Sequence, residues 1–461
     1  MLRSIGHADI SVQCDLRKPG CSQCERAKLI CHGYRDPNEL IICDETHSTE
    51  RKALASKPLA AAPTVLQLGW DVRARYTFFS YIFGLPWSYD VLVPLYEGAS
   101  ALGHLSASVD AVSLAFTSFQ YENPSLMRLA KSRYIVAIQR VVQTLRSPDF
   151  TTDETLQSIL LLDLYEKMVN RDIKSSVSWL SHVQGAMSLV KARGDRNFSS
   201  YAGRRLATRL AMTLTISSGA ASVRVPEALV DIRDDLASSA DHPKWSVTSL
   251  AIDVVNFKAD YSSGLFASTS EVAERATELD RAFEKVEKMM PQSWLPLRIF
   301  STRYNPLLFS SYYDVYQDHF VTHVWNVIRT MRLMLNNMIR EHSSGNATNS
   351  VRNAMKAISE ITEEICAAVP QFLLPGARHF NNISFSPLQS VQFYALLAPL
   401  YIAGQISTDQ DLREWIIQTM EYMAETGRMK AAKDVADILR FTPDVDYWAV
   451  YAMLGSYAFA A

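Results

Sequence analysis

The sequence predicts a mostly α-helical protein, in which a large all-helical domain follows a small cysteine-rich module and a linker. Three observations carry this prediction. From about Gln67 onward, apolar residues recur at three- and four-residue steps through most of the chain. No alternating runs at regular spacing mark a sheet, and no solenoid period is visible. Four of the six cysteines crowd into residues 14–31 of a 461-residue chain. The expected organisation is therefore a module at 1–36, a linker at 37–66 and an all-α domain at 67–461.

Taken in order, the first thirteen residues, "MLRSIGHADISVQ", hold no apolar run of the kind a secretory leader needs. Residues 37–66 mix charge, Pro and Ala ("DETHSTERKALASKPLAAAP"), which suits a linker with a short helix and cannot build a core. In "NPSLMRLAKSRYIVAIQRVVQTLRS", Met127, Ala130, Tyr134, Ile138, Val141 and Leu145 form one apolar helix face. "TTDETLQSILLLDLYEKM" opens with a capping-box pattern, Thr151-x-x-Glu154, then turns apolar nearly all round, as a helix at the centre of a bundle would. "SSVSWLSHVQGAMSLVKARGD" aligns Trp179, Val183, Ala186 and Val190, and ends on Lys191 and Arg193 before a Gly194 stop. Three later segments, "QDHFVTHVWNVIRTMRLMLNNMIREH", "SVRNAMKAISEITEEICAAV" and "DQDLREWIIQTMEYMAE", repeat the theme. The aromatic group Tyr76, Phe78, Phe79, Tyr81, Phe83 and Trp87 reads as core, although a large helical domain can also hold a small-molecule pocket.

Composition narrows the function. Hydrophobic residues make up 48% and charged residues 20%, enough to bury a sizeable core. A net charge of −2 gives no global pull toward nucleic acid or membrane, so any basic surface must be local. The apolar stretch near "FYALLAPLYIAG" is too short to span a bilayer, and the expectation is a soluble intracellular chain. In that compartment thiols stay reduced, and clustered cysteines point to metal or redox chemistry rather than disulfides.

Cys14, Cys21, Cys24 and Cys31 follow the spacing C-x6-C-x2-C-x6-C. A C-x2-C pair places two thiolates on one ion through a tight turn, and flanking cysteines close the tetrahedron if the chain folds back. Pro19-Gly20, just before Cys21, is a turn-forming pair able to reverse the chain. The bland alternative is a cysteine-bearing disordered tail. Cys43 lies outside the spacing, and Cys366 reads as a small core residue.

"CDLRKPGCSQCERAKLICHGY" resembles the second part of the fungal zinc binuclear cluster, the six-cysteine DNA-binding module of fungal transcription factors. That module reads C-x2-C-x6-C, a Pro-bearing loop, then C-x2-C-x6-C. Cys14 matches its third cysteine, and Cys21, Cys24 and Cys31 match its fourth, fifth and sixth. The resemblance continues through "GYRDPNEL". It returns in "DETLQSILLLDLYEKM", "WLSHVQGAMSLVKARG" and "LLAPLYIAG…LREWIIQTM", which are similar to the family's fungal-specific regulatory domain. The resemblance implies a nuclear transcription regulator, zinc as cofactor, DNA as partner, and a helical domain that controls activity. A homodimer through 37–66 and a small-molecule inducer are further partners of that kind; the heptads in 37–66 are too short to support a coiled coil independently.

The front of the module departs from the pattern. Ser4 and His7 stand where the first C-x2-C belongs, and "ADISVQ" replaces the basic helix that enters the major groove. It carries Asp9 and no Lys or Arg, and Gln13 occupies the place of a base-reading lysine. Because the family's two zincs share its first and fourth cysteines, the resemblance leaves one zinc here, held by Cys21, Cys24 and Cys31 with Cys14, His7 or His32. Arg17, Lys18, Arg26 and Lys28 remain to bind phosphates, or stand as a solvated surface. DNA binding is expected to be weak. Two origins fit the abrupt change at residues 12–14: an upstream exon that restores C-x2-C, or real loss.

Other constellations point elsewhere. "DIRDDL" in an all-α chain suggests a terpene-synthase-like enzyme with magnesium-binding carboxylates, but its spacing is reversed and no second metal motif follows. A solvated acidic turn is the simpler reading. His182 has no acidic or cysteine partner four residues away and reads as packed or half-exposed. The "NAT" triplet in "REHSSGNATNS" is a chance match in an intracellular chain. No Gly-rich phosphate loop or nucleophile elbow appears, so the expected protein is not an enzyme. The alternative from another class is an interaction or small-molecule-sensing regulator without direct DNA binding.

Overall fold

The computed structural model describes residues 15, 17–31, 68–82, 90–148, 150–169, 176–194, 200–237, 243–343, 348–378, 385 and 387–454, with the side chains of 81–82, 176–184, 232–233, 235–237, 348 and 387–391 left aside. His7, Cys14, His32, Cys43, Phe83, Trp87 and the linker 37–66 lie outside these residues, as do the side chains of Tyr81, Trp179, His182 and Val183. The chain divides into two units, Met1–Gln67 and Leu68–Ala461. The protein is mostly α-helical, and among the described residues no helix is long and apolar enough to cross a membrane.

Among the described residues the first unit contributes one short helix, α1 (Ser22–Arg26). The second opens with α2 (Trp70–Ile82), α3 (Leu92–Gly98), α4 (His104–Gln120), α5 (Pro124–Leu145), α6 (Asp153–Val169) and α7 (Ser176–Arg193). Helix α4 is buried on all sides, packing on α2, α5 and α6. Helix α6 is also central, as its apolar sequence predicts, with Leu156, Leu160, Leu161 and Leu164 all in the core. Its cap lies one residue later than the Thr151-x-x-Glu154 pattern: Thr152 Oγ1 accepts from the Thr155 amide at 3.3 Å. Asp153 is thereby freed to pair with Arg193, whose guanidinium also donates to the Thr151 carbonyl at 3.0 Å. Arg193 is thus a buried tether between α6 and α7 as well as a helix end, and Gly194 follows in the left-handed conformation that stops the helix.

Three further expectations shift. On α5 the buried stripe is Leu126, Ala130, Ala137 and Val141, while Leu145 is left exposed because the core ends before the helix does. Tyr76 is 80% exposed, whereas Phe78 on the same helix is fully buried. "DIRDDL" is helical, lying within α9 (Glu227–Ala237), with Asp231 and Asp234 exposed.

The chain continues through α8 (Tyr201–Ala221), α9, α10 (Pro243–Ser262) and α11 (Thr269–Lys288). A small antiparallel sheet follows, β1 (Leu297–Phe300) on β2 (Tyr312–Val315), with Leu297 opposite Val315. Four-residue strands with Leu297 and Phe300 turned to solvent leave no alternation to read in sequence. A cross-strand ion pair fixes them, Arg298 to Asp314 at 2.9 and 3.0 Å.

Next come α12 (His319–His342), α13 (Thr348–Ala367), α14 (Pro370–Leu373), α15 (Pro387–Ile406), α16 (Gln410–Gly427), α17 (Lys430–Phe441) and α18 (Tyr447–Leu454). Helix α12 packs on α10, α11, α13 and α15. Arg332 reaches Asp280, Glu284 and Glu287 of α11 at 2.8, 2.9 and 2.8 Å, and the buried Arg329 reaches Glu364 of α13 at 3.0 Å and the Tyr316 hydroxyl at 2.6 Å. The whole of α18 is buried. Its Trp448 lies on α8 where residue 219 is glycine; a Cβ there would come within 2.6 Å of the indole. Lys258 of α10 closes the junction, donating to the Gly219 carbonyl at 2.8 Å and to Asp446, the residue before α18, at 2.9 Å.

One polar pair sits in the core of α6. Lys167 and Asp163 are 2.7 Å apart and 1% and 7% exposed. Burial lowers the Lys167 pKa, and the Asp163 carboxylate opposes that shift. Removing only the cation leaves a buried carboxylate without its partner. Lys167→Met should therefore cost about 3–5 kcal/mol, and Asp163→Leu in the same chain should recover much of it. Urea denaturation reads this as a midpoint shift at unchanged slope.

Candidate metal centre

Three of the four clustered cysteines converge. The Sγ atoms of Cys21, Cys24 and Cys31 all lie within 4.8 Å of one another. Cys21 is fully buried, Cys24 nearly so and Cys31 half-buried, and none is in a disulfide. Cys14 lies outside the described residues, so the structure brings together three of the four predicted ligands.

Local chemistry explains the convergence. Cys21 is the N-cap of α1, and its sulfur accepts the Cys24 amide hydrogen at 3.3 Å, the turn that puts both sulfurs of a C-x2-C pair on one side. The chain leaves α1 through Lys28, which adopts a left-handed φ of 52°, and the Leu29 amide returns to the Cys24 carbonyl at 2.9 Å. This reversal lets Cys31 come back to the pair. Residues 18–20 bend before Cys21, with a cis Lys18–Pro19 peptide. Gly20 then faces Cys31 closely: a Cβ on residue 20 would lie 3.3 Å from the Cys31 Cβ. A side chain at residue 20 would crowd this approach.

The donor set fits a thiophilic divalent ion. Zinc–sulfur bonds of about 2.3 Å place tetrahedral sulfurs roughly 3.8 Å apart, so the cluster needs only a small contraction. Without a cation the thiols repel one another's ionisation. The hydrogen bond to Cys21, then burial, then the Cys31 thiol push the Cys24 pKa up to about 12. A bound cation reverses that balance by stabilising the thiolates.

Arg17, Lys18, Arg26 and Lys28 are all exposed, as a phosphate-binding surface requires. They are not equivalent. Arg17 pairs with Glu25 at 3.1 Å, and the Arg26 side chain donates to the Ser22 carbonyl at 3.3 Å. Asp15, which sequence reasoning passed over, caps α1 through the Ser22 amide at 3.2 Å and the Ser22 hydroxyl. Glu25 and Asp15 offset half the local positive charge. Their eight- and seven-residue separations from their partners exceed the three- and four-residue steps at which side chains of one helix touch, so only the folded chain reveals them. In the second unit, Cys366 is a buried core thiol, as expected, and burial raises its pKa.

The fungal-specific transcription factor domain matches residues 85–440. The match covers well over half of the chain, and the protein belongs to that family. It begins at residue 85, after the cysteine cluster. No curated protein matches the chain, and no solved structure does.

The geometry predicts one metal ion per chain. Cobalt(II) titration of the full-length protein, read by thiolate-to-metal absorption, should saturate at one equivalent. Cys21→Ser, Cys24→Ser and Cys31→Ser should each abolish that band, Gly20→Val should weaken binding, and Cys366→Ser should leave it intact. Since the ion displaces thiol protons, affinity should fall as the pH is lowered from about 8 to about 6.

Proposed function

We propose that the chain is a nuclear transcription regulator of fungi, in which residues 1–36 form a single-zinc module, 37–66 a linker and 67–461 a regulatory domain. The observation that carries this reading is the convergence of Cys21, Cys24 and Cys31 ahead of a fungal-specific transcription factor domain. Zinc is the ion chosen by the donor set, since soft thiolates in a tetrahedron suit it and a closed site makes it structural. Cys14 is the preferred fourth ligand. Asp15 is bonded to Ser22, so the residue after Cys14 stands beside the residue after Cys21. His7 and His32 are the alternatives. Zinc then cross-links the turn, and the protein's own Cys24 amide bond to Cys21 orients one ligand.

DNA binding through this module is weak and without sequence preference. Specific readout needs side chains held at base edges, and "ADISVQ" supplies only Gln13, with Asp9 repelling phosphate. Arg17, Lys18, Arg26 and Lys28 neutralise about two to four phosphates, which places affinity near the non-specific range of roughly 10⁻⁴–10⁻⁶ M and the log–log salt slope at about −2 to −4. Arg17 contributes only by exchanging Glu25 for phosphate, a small cost for an exposed pair. A binding-site selection at fixed salt tests this. The chain as it stands should enrich no half-site, and replacing residues 1–13 with a C-x2-C basic helix should restore both a second zinc and sequence preference. Enrichment of a defined half-site by the chain as it stands, as strong as by the repaired version, would sink the proposal. The segment's lack of cations also favours a second reading, regulation through a partner protein or a small-molecule inducer without DNA contact, or as a homodimer. In that case neither version enriches a site.

The same organisation makes a stability prediction. Residues 67–461 contain the apolar helices that build the core, so this fragment should unfold cooperatively when expressed alone. A cooperative transition seen only with the full chain places the boundary elsewhere.

A further inference from the structure

Four helices of the second unit, α8, α10, α12 and α18, line a cavity of about 50 Å³. Most of its wall is apolar: Met212, Ile216, Val247, Val324, Val327 and Met331. Two wall threonines are spent on their own helices, Thr215 donating to the Ala211 carbonyl at 2.8 Å and Thr248 to the Lys244 carbonyl at 2.9 Å. They therefore offer the cavity little more than methyl groups.

Against this background two side chains stand out. His323 is 6% exposed, and neither of its ring nitrogens has a hydrogen-bond partner among the described residues. Trp448 is 2% exposed, and its indole Nε1 likewise has none. Leaving such groups unpaired costs about 1–3 kcal/mol each, a cost that a core would ordinarily remove by substitution. Both line the same cavity. The Gly219 contact described above seats Trp448 against α8, so the indole is held in place. Lys244 also lines the cavity, with its ammonium 5.1 Å from the Phe320 ring.

We propose that this cavity is an effector site for a small monocarboxylate, whose carboxylate is held by the His323 imidazole, the Trp448 indole and Lys244 while its short alkyl tail lies among Met212, Val247, Val324 and Met331. Burial first, then Arg205, lowers the Lys244 pKa to about 7, and a carboxylate beside it would favour its ammonium form again; with that cation the donor set selects an anionic acceptor, and the remaining wall selects an apolar body. Burial first, then Lys244 and His319, hold the His323 pKa down to about 3, so the imidazole is neutral and provides one N–H donor. Water is a poor tenant. The space admits several molecules, each needing two to four polar partners, and beyond His323, Trp448, Lys244 and Tyr451 the wall is apolar or spent on its own helices. Methionines 212 and 331 are the adaptable part of that wall and allow it to widen for a tail of a few carbons. The site deepens the regulatory reading and depends on it only for the effect on transcription; binding itself is independent of zinc and DNA.

The test uses the full-length chain with butyrate as probe and 1-butanol as the neutral comparator, read by calorimetric titration and thermal unfolding. Butyrate should bind at one site and raise Tm saturably, while 1-butanol at equal concentration should give less than a tenth of the affinity. His323→Leu, which replaces an unpaired buried imidazole with an apolar side chain, should hold or raise the Tm of the ligand-free protein and weaken butyrate at least tenfold. Trp448→Phe, which keeps a ring against Gly219, is the second variant and should also weaken it. No butyrate binding, equal binding of 1-butanol, or binding unchanged in both variants overturns the proposal. A lowered ligand-free Tm in His323→Leu together with no butyrate effect identifies a cavity holding water only. These outcomes leave the metal and DNA measurements untouched, so the two readings fail separately.

Discussion

Helix α12 can be buried only because the two arginines on its buried face, Arg329 and Arg332, are neutralised where they stand. Arg332 is 11% exposed and Arg329 4%, and an unpaired guanidinium at either place would be prohibitively costly to desolvate. Three carboxylates of α11 converge on Arg332, and Glu364 of α13 with the Tyr316 hydroxyl satisfies Arg329. Each pairing sets the rotation of α12 about its axis, because a turn of one residue would break both. Once that rotation is fixed, Val324, Ile328 and Met331 face the core and the helix can serve as the centre on which α10, α11, α13 and α15 pack. Such pairs specify an arrangement more than they add net stability, since desolvation offsets much of their attraction.

The cavity follows from this orientation. His323 lies nine residues before Arg332, on the part of α12 that meets α8, α10 and α18. With α12 locked by its arginines, and α18 locked by Gly219 and the Lys258–Asp446 pair, neither His323 nor Trp448 can turn away to find a partner. A site positioned by packed helices and the ion pairs between them is preorganised, so a ligand meets groups that are already ordered. Any ligand that binds there also joins four helices, which is how occupancy of a core cavity would change the stability of the domain.

The cysteine cluster is organised on a smaller scale and by different means. Among its described residues the large apolar side chains lie outside: Leu29 and Ile30 are 58% and 83% exposed. Its order comes from an amide that donates to the Cys21 sulfur, the Asp15 cap on α1, a left-handed Lys28 and a glycine where Cys31 approaches. A segment this short gains too little from burial to fold on that alone, which is why the proposed function gives it a metal cross-link.

The sequence by itself determined the fold class and the identity of the thiol cluster. Helical periodicity is written in side-chain spacing, and the all-round apolar stretch at 151–168 marked α6 as central before any packing was known. The C-x2-C turn is likewise local, so Cys21 and Cys24 were legible as a pair, and Cys366 as a core thiol. Tertiary structure alone decided the rest. Arg193 read as a helix end and proved to be a buried tether to Asp153; Gly20 read as a turn residue and proved to make room for Cys31; Arg17 read as a free cation and proved to be paired with Glu25. Tyr76 and Leu145 carried the right pattern but fell beyond the edge of the core. His323 and Trp448 carried no motif at all, being 125 residues apart in sequence and brought to one cavity only by helix packing. The physical reason is the same throughout. Spacing along one helix or turn is fixed by backbone geometry, whereas the partner a charged or polar side chain finds on another element depends on how those elements rotate to bury their apolar faces.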